Sequence, residues 1–228
     1  ILTTKNGENI YIVNSVVVDP KIFLSTDCYP KAIEALMSKD SNGYRVYQKA
    51  IPENFAFWLD CSEPNYNLHM AIHESVHQIN AAEATEEKIS FYLPGGSTRT
   101  VKRLSLFPAS EITHLLKSED HNLYYQDYLM GAPGRHGLLF LLDEVNSYTH
   151  EMITQTNLSH LLSTKTGYST GHGLVTMTYY MLLYLKEARL NHPEDWAKIK
   201  NDGDYKRLIH RLYSNHAKAG LNSYNIPQ

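Results

Sequence analysis

The chain has 228 residues, 43% of them hydrophobic and 20% charged, with a formal net charge of −3 when histidine is neutral. This composition excludes a disordered chain, and the charge implies no general attraction to nucleic acid or to an anionic membrane. No apolar run approaches the roughly 20 residues of a membrane span, the longest candidate being Met177 to Leu185.

Two cysteines, Cys28 and Cys61, allow one bridge and exclude a disulfide-dependent scaffold. A bridge between them would favour an exported protein. The chain starts at Ile1 without methionine, as a processed form or an excised fragment does. A secreted or periplasmic setting is therefore the expectation.

Taken in order, Ile10 to Val18 is rich in β-branched residues and predicts a strand. Lys31 to Ser38 predicts a short helix ending before Ser41-Asn42-Gly43. Asn54 to Cys61 predicts a second strand. Asn67 opens a long helix that no glycine or proline ends before Glu86. Lys88 to Leu93 and Thr98 to Leu106 flank Pro94-Gly95-Gly96-Ser97 and predict a hairpin. Arg99, Lys102 and Arg103 form a basic cluster on its second arm, as suits a solvated strand edge.

Ser110 to Lys117 predicts a short helix with Ser110 as its N-cap. Gly137 to Leu161 predicts a second long helix. Its buried stripe is Leu138, Leu142, Val145, Thr149, Met152 and Ile153. Gly167 to Gly173 reads as a glycine-punctuated turn. Leu174 to Leu190 is apolar nearly all round and predicts a central helix that Pro193 stops. Trp196 to Lys200 and Tyr205 to Ala219 supply terminal helices. Strands come first and helices later, which predicts one α+β domain over 1–228. Its N-terminal lobe runs to about residue 106 and a helical C-terminal lobe follows.

The chemistry concentrates in His73-Glu74-Ser75-Val76-His77. Two histidines four apart lie about 40° from each other around a helix, so both imidazoles reach one metal ion. Leu68, Ile72, Val76 and Ile79 cluster on a different face and predict the core contact. His77, Asn80 and Ala84 share the face of His73.

A catalytic zinc ion takes three protein ligands and keeps one position open. Two acidic residues compete for the third place. Glu144 lies off its helix's apolar stripe, beside Tyr148 and Glu151. Glu83 follows His73 by ten residues. On an unbroken helix it falls in the apolar stripe, so it ligates only if the chain turns at Asn80.

The motif with a helix-borne Glu144 downstream resembles the gluzincins, the thermolysin-like branch of the zincin metallopeptidases. There the third ligand sits in a pattern like Glu-x-x-Ser-Asp. Here the segment is Glu144-Val145-Asn146-Ser147-Tyr148, with tyrosine in place of the supporting aspartate. An alternative resemblance is to the metzincins, His-Glu-x-x-His-x-x-Gly-x-x-His. Asn80 then replaces the glycine and Glu83 the last histidine.

The gluzincin resemblance implies a zincin-like fold. A small N-terminal mixed sheet and an active-site helix precede a mainly helical lobe. It implies Zn2+ bound by His73, His77 and Glu144, and a peptide or protein substrate. Peptide-bond hydrolysis would use Glu74 as general base. Oxyanion donors are sought among His172, Tyr148, His150, Tyr168 and Tyr179. His172, Thr176 and Tyr179 share a face if their helix starts near Gly171. A zincin-like binding domain without catalysis is the other reading, and the intact Glu74 speaks against it.

Overall fold

The computed structural model describes residues 2–3, 9–10, 28–59, 67–159 and 170–223. Within them the chain is mostly helical, with two small antiparallel sheets. The α+β class stands, but no mixed sheet occurs among the described residues. β1 (Leu2–Thr3) pairs with β2 (Asn9–Ile10). Beyond Ile10, the strand expected over Ile10 to Val18 lies outside the described residues.

Three helices follow: α1 (Cys28–Lys39), α2 (Ser41–Lys49) and α3 (Pro52–Trp58). The helix expected over Lys31 to Ser38 is part of α1, which ends before Ser41-Asn42-Gly43 as read, and those three residues open α2. One sequence expectation fails here. The strand expected from Asn54 is helix α3, with Pro52 near its start, where its fixed φ suits a helix and its missing N–H costs nothing. Phe55 and Leu59, four apart, are both fully buried. That helical spacing outweighs the alternation that suggested a strand. Cys28 is disulfide-bonded; Cys61, its counterpart in the sequence expectation, lies outside the described residues.

The motif helix α4 (Leu68–Ala82) runs unbroken through Asn80 and ends four residues before Glu86, with Glu83 as its C-cap. Leu68, Ile72, Val76 and Ile79 pack with Leu36, Val46, Phe55 and Leu59, so the expected stripe is the core contact. Full burial of one such side chain contributes about 1.5–3 kcal/mol. The expected hairpin forms, from β3 (Lys88–Tyr92) and β4 (Thr98–Lys102), its second arm ending before the expected Leu106. Gly95 and Gly96 turn it with φ of 91° and 89°, a region costly for other residues. The short helix expected from Ser110 is a 3-10 segment, Ala109–Leu115, and a π-helical segment, Tyr125–Met130, follows.

Four helices complete the described chain: α5 (Leu138–Asn157), α6 (Thr170–Asn191), α7 (Pro193–Asn201) and α8 (Gly203–Ser223). The expected central helix was α6, but Val175, Tyr179 and Leu182 on it are 61%, 41% and 46% exposed. The helix buried on every side is α5, packed against α4, α6 and α8. Its polar residues Glu144, Asn146, Ser147, His150 and Glu151 are buried with its apolar ones. Thr170 already belongs to α6, so the glycine-rich turn ends earlier than read. No described helix is long and apolar enough to cross a membrane.

Candidate metal centre

Helices α4 and α5 face each other in opposite directions. His69 and His73 meet Glu151, whereas His77 and Asn80 meet Asp143, further back along α5. On α4 these residues recur at four-residue and three-residue steps, and on α5 Asp143 and Glu151 are eight apart. Each set is therefore one helical face. These polar faces meet inside the protein, where every group needs a partner.

His73 Nδ1 is 2.8 Å from Glu151 Oε2, and His77 Nδ1 is 2.7 Å from Asp143 Oδ2. Carboxylate oxygens accept, so each Nδ1 carries the proton and donates it. Each Nε2 of a neutral ring then presents a lone pair. These two Nε2 atoms lie 3.0 Å apart. The Glu144 carboxylate stands over them, with Oε2 3.6 Å from His73 Nε2 and Oε1 3.5 Å from His77 Nε2. Glu144 Oε2 is buried and has no hydrogen-bond partner.

Three lone-pair donors converging in a buried site repel one another unless a cation lies among them. The ligand atoms of His73, His77 and Glu144 all lie within 4.8 Å of one another, and the group can hold a metal ion. Nitrogen and oxygen ligands about 2.0–2.2 Å from a tetrahedral ion are roughly 3.3–3.5 Å apart, close to the spacings here. The site's residues fit such an ion without rearrangement of the helices.

Without a metal, protons supply the missing positive charge. Burial alone would lower the His73 pKa, but the Glu144 and Glu151 carboxylates beside it outweigh burial and raise the value to about 9. Burial would also lower that of His77; Asp143 and Glu144 raise it well above the ordinary range. Glu144 and Glu151 move the other way. Burial would raise both, but the histidines beside them hold each at about 2.

The supporting shell is closed. Glu151 Oε1 accepts from His69 Nδ1 at 2.9 Å and from Thr170 Oγ1 at 2.8 Å. Asn80 Nδ2 donates to Asp143 Oδ1 at 2.6 Å, while Asn80 Oδ1 accepts the Tyr92 backbone N–H at 2.7 Å. Asn80 thus ties the histidine face to β3. His150 lies away from the cluster. Its Nε2 donates to the Tyr92 carbonyl at 3.0 Å, and burial lowers its pKa to about 4.

The Tyr148 ring packs edge-on against His73, with centroids 4.5 Å apart. Its hydroxyl pairs with that of Tyr128 at 3.0 Å. Burial, then the neighbouring phenol, raises the Tyr148 pKa; burial and Glu144 raise that of Tyr128. Both stay protonated, and one hydrogen bond between two phenols uses only one of their protons. Glu74 is half-buried on α4, and its charge adds to the rise of the Tyr128 pKa.

The other sequence candidates fall elsewhere. Glu83 is 41% exposed in its side chain and faces Lys49 Nζ at 3.8 Å. His172 is exposed at the start of α6, with its ring 5.2 Å from that of Tyr124. Tyr179 is two turns further along and 41% exposed. Tyr168 lies outside the described residues. The sequence reading missed His69 and Asp143 as partners. His69 stands four before His73 on the same helical face, so helical phase alone held that signal.

Comparison with protein-family models, curated proteins and solved structures finds no match in any of the three.

Proposed function

We propose that the chain is a zinc-dependent peptidase that uses His73, His77 and Glu144 as ligands and Glu74 as general base. The observation that carries this reading is the pair of imidazole Nε2 atoms 3.0 Å apart beneath a partnerless Glu144 oxygen, with Glu74 next to His73 on the same helix. Two nitrogens and one oxygen suit zinc and leave a fourth position open, the pattern of catalytic rather than structural sites. In such a site zinc supplies activation of water and polarisation of a carbonyl.

The chain's own residues do the rest. Glu151 and Asp143 hold the two imidazoles in the tautomer that presents Nε2 inward. Glu74 takes a proton from the attacking water and passes it to the leaving amine. The Tyr128 and Tyr148 hydroxyls keep one proton to spare, with the Tyr148 ring packed on His73, and are the proposed donors for a developing oxyanion. They replace His172 and Tyr179 in that role.

Cleavage of a mixed peptide library by purified protein tests the proposal. Wild type should cut, and Glu74→Gln should keep the metal and lose activity by a factor on the order of 10² or more. Equal cleavage by both proteins would overturn the role of Glu74. Stoichiometric metal with no cleavage by wild type would favour a binding domain.

A further inference from the structure

A second charged feature lies on the face formed by β4 and α8. Tyr205, Leu208 and Leu212 of α8 are fully buried, and the Tyr205 hydroxyl donates to the Lys102 carbonyl at 2.8 Å. This contact fixes α8 against β4. Residues 206, 207, 210 and 211 then lie to either side of the buried seam, exposed. With Arg99 of β4 they line a cleft of about 360 Å3 whose walls are Arg99, Lys206, Arg207, His210 and Arg211.

Arg99 is more than a hundred residues from the others in sequence, so the fold gathers this charge. The whole chain carries −3, which makes the cleft a local reversal of sign. Arg207 and Arg211 are four apart on one helix, where like charges oppose helix formation. Among described residues, Arg207 has an ion-pair partner, Asp204 at 2.6 Å. Arg99, Lys206 and Arg211 have no ion-pair partner among the described residues, and no carboxylate lines the cleft. A strand edge that needed only solubility would not require the same charge from a second element.

We infer that this cleft binds a small anion bearing two or more phosphate groups. Guanidinium forks pair with phosphate oxygens in two-point contacts, and a tetrahedral phosphate accepts several forks at once where a carboxylate offers one edge. The volume is within the roughly 300–1,000 Å3 of small-molecule sites, which favours a compact ligand over a polymer. Three unpaired permanent cations match the charge of a diphosphate. This site is independent of the metal centre and of the peptidase reading.

Titration calorimetry of the full chain with inorganic pyrophosphate tests it. The comparison is with an Arg99→Ala/Arg211→Ala double variant, in buffer of low ionic strength. Both proteins keep His73, His77 and Glu144, so any pyrophosphate drawn to a metal there contributes equally. Wild type should bind, and the double variant should bind at least tenfold more weakly with an unchanged circular dichroism spectrum. Lys206→Ala should weaken binding too, and covers the case in which the double variant misfolds. Absent binding to wild type, or equal binding to all three, overturns the assignment. A single-stranded oligonucleotide or a glutamate-rich peptide that binds more tightly through the same arginines would also overturn it, in favour of a macromolecular partner.

Discussion

Glu151 accepts a 2.8 Å hydrogen bond from His73 Nδ1, two helical turns along α5 from Glu144. The same residue holds His69 and Thr170, so one carboxylate joins α4, α5 and α6 behind the metal site. It orients His73 from a position one turn later than Tyr148. Glu151→Gln removes the charge that favours the Nδ1–H tautomer. Zinc affinity should fall about 10–100-fold, by competition with a chromophoric chelator. Unchanged affinity would show that the geometry of the helices suffices.

The metal-free protein should have a distinctive stability profile. His73 ordinarily titrates at 6.5 and here at about 9, so folding favours its protonated form. That contribution is complete below 6.5 and disappears as pH rises through about 9. Glu144 and Glu151 fall from 4.5 to about 2, so theirs is complete above 4.5 and disappears as pH falls through about 2. His150, lowered from 6.5 to about 4, contributes fully only above 6.5, so chelated protein should be most stable near 6.5 and lose Tm steadily towards 9. Zinc-loaded protein should lose none of its Tm over the upper range, because the ion takes the protons' place. Parallel profiles with and without zinc would refute the exchange.

The site was more legible than the fold. Motif spacing placed His73 and His77 together because helical phase is local. Glu144 could be named because its polar neighbours broke the apolar stripe. The all-round burial of α5 could not be read, since Asn146 and His150 find their partner in the Tyr92 carbonyl and Glu151 in Thr170, on elements separate in sequence. Helix α3 was misread because Phe-Ala-Phe-Trp-Leu alternates over too few residues to separate a period of two from one of 3.6. The centrality of α6 was overestimated because hydrophobicity records what a face tolerates, and Val175 and Leu182 face outwards.

The two candidate third ligands separate in one experiment. Glu144 is buried against both histidines, and Glu83 is exposed beside Lys49. Glu144→Ala should lower zinc content well below one per chain. Glu83→Ala should leave it unchanged and alter stability by no more than about 0.5 kcal/mol, as befits an exposed ion pair. Elemental analysis of chelator-free protein reads both. Loss of metal in Glu83→Ala alone would mean that the helix opens at Asn80 and that the metzincin-like arrangement applies.

Gly173 supplies the final prediction, because it stands against the Tyr148 ring. A Cβ built there would lie 2.6 Å from Tyr148 Cζ and nearer still to Cε1, closer than real Cβ contacts come. The ring cannot retreat freely, since it also packs on His73 and its hydroxyl is held by Tyr128. Gly173→Ala should therefore displace Tyr148 and cost about 1–3 kcal/mol of stability, as overpacking of a buried contact does. The zinc ligands keep their own hydrogen bonds to Glu151 and Asp143, so metal content should stay near wild type. Peptide cleavage should fall in kcat more than in KM, because the displaced hydroxyl acts on the transition state. Tyr148→Phe provides the comparison, with the same kinetic split and without the steric strain. If Gly173→Ala lowers stability but leaves kcat intact, Tyr148 is packing for His73 and not a donor.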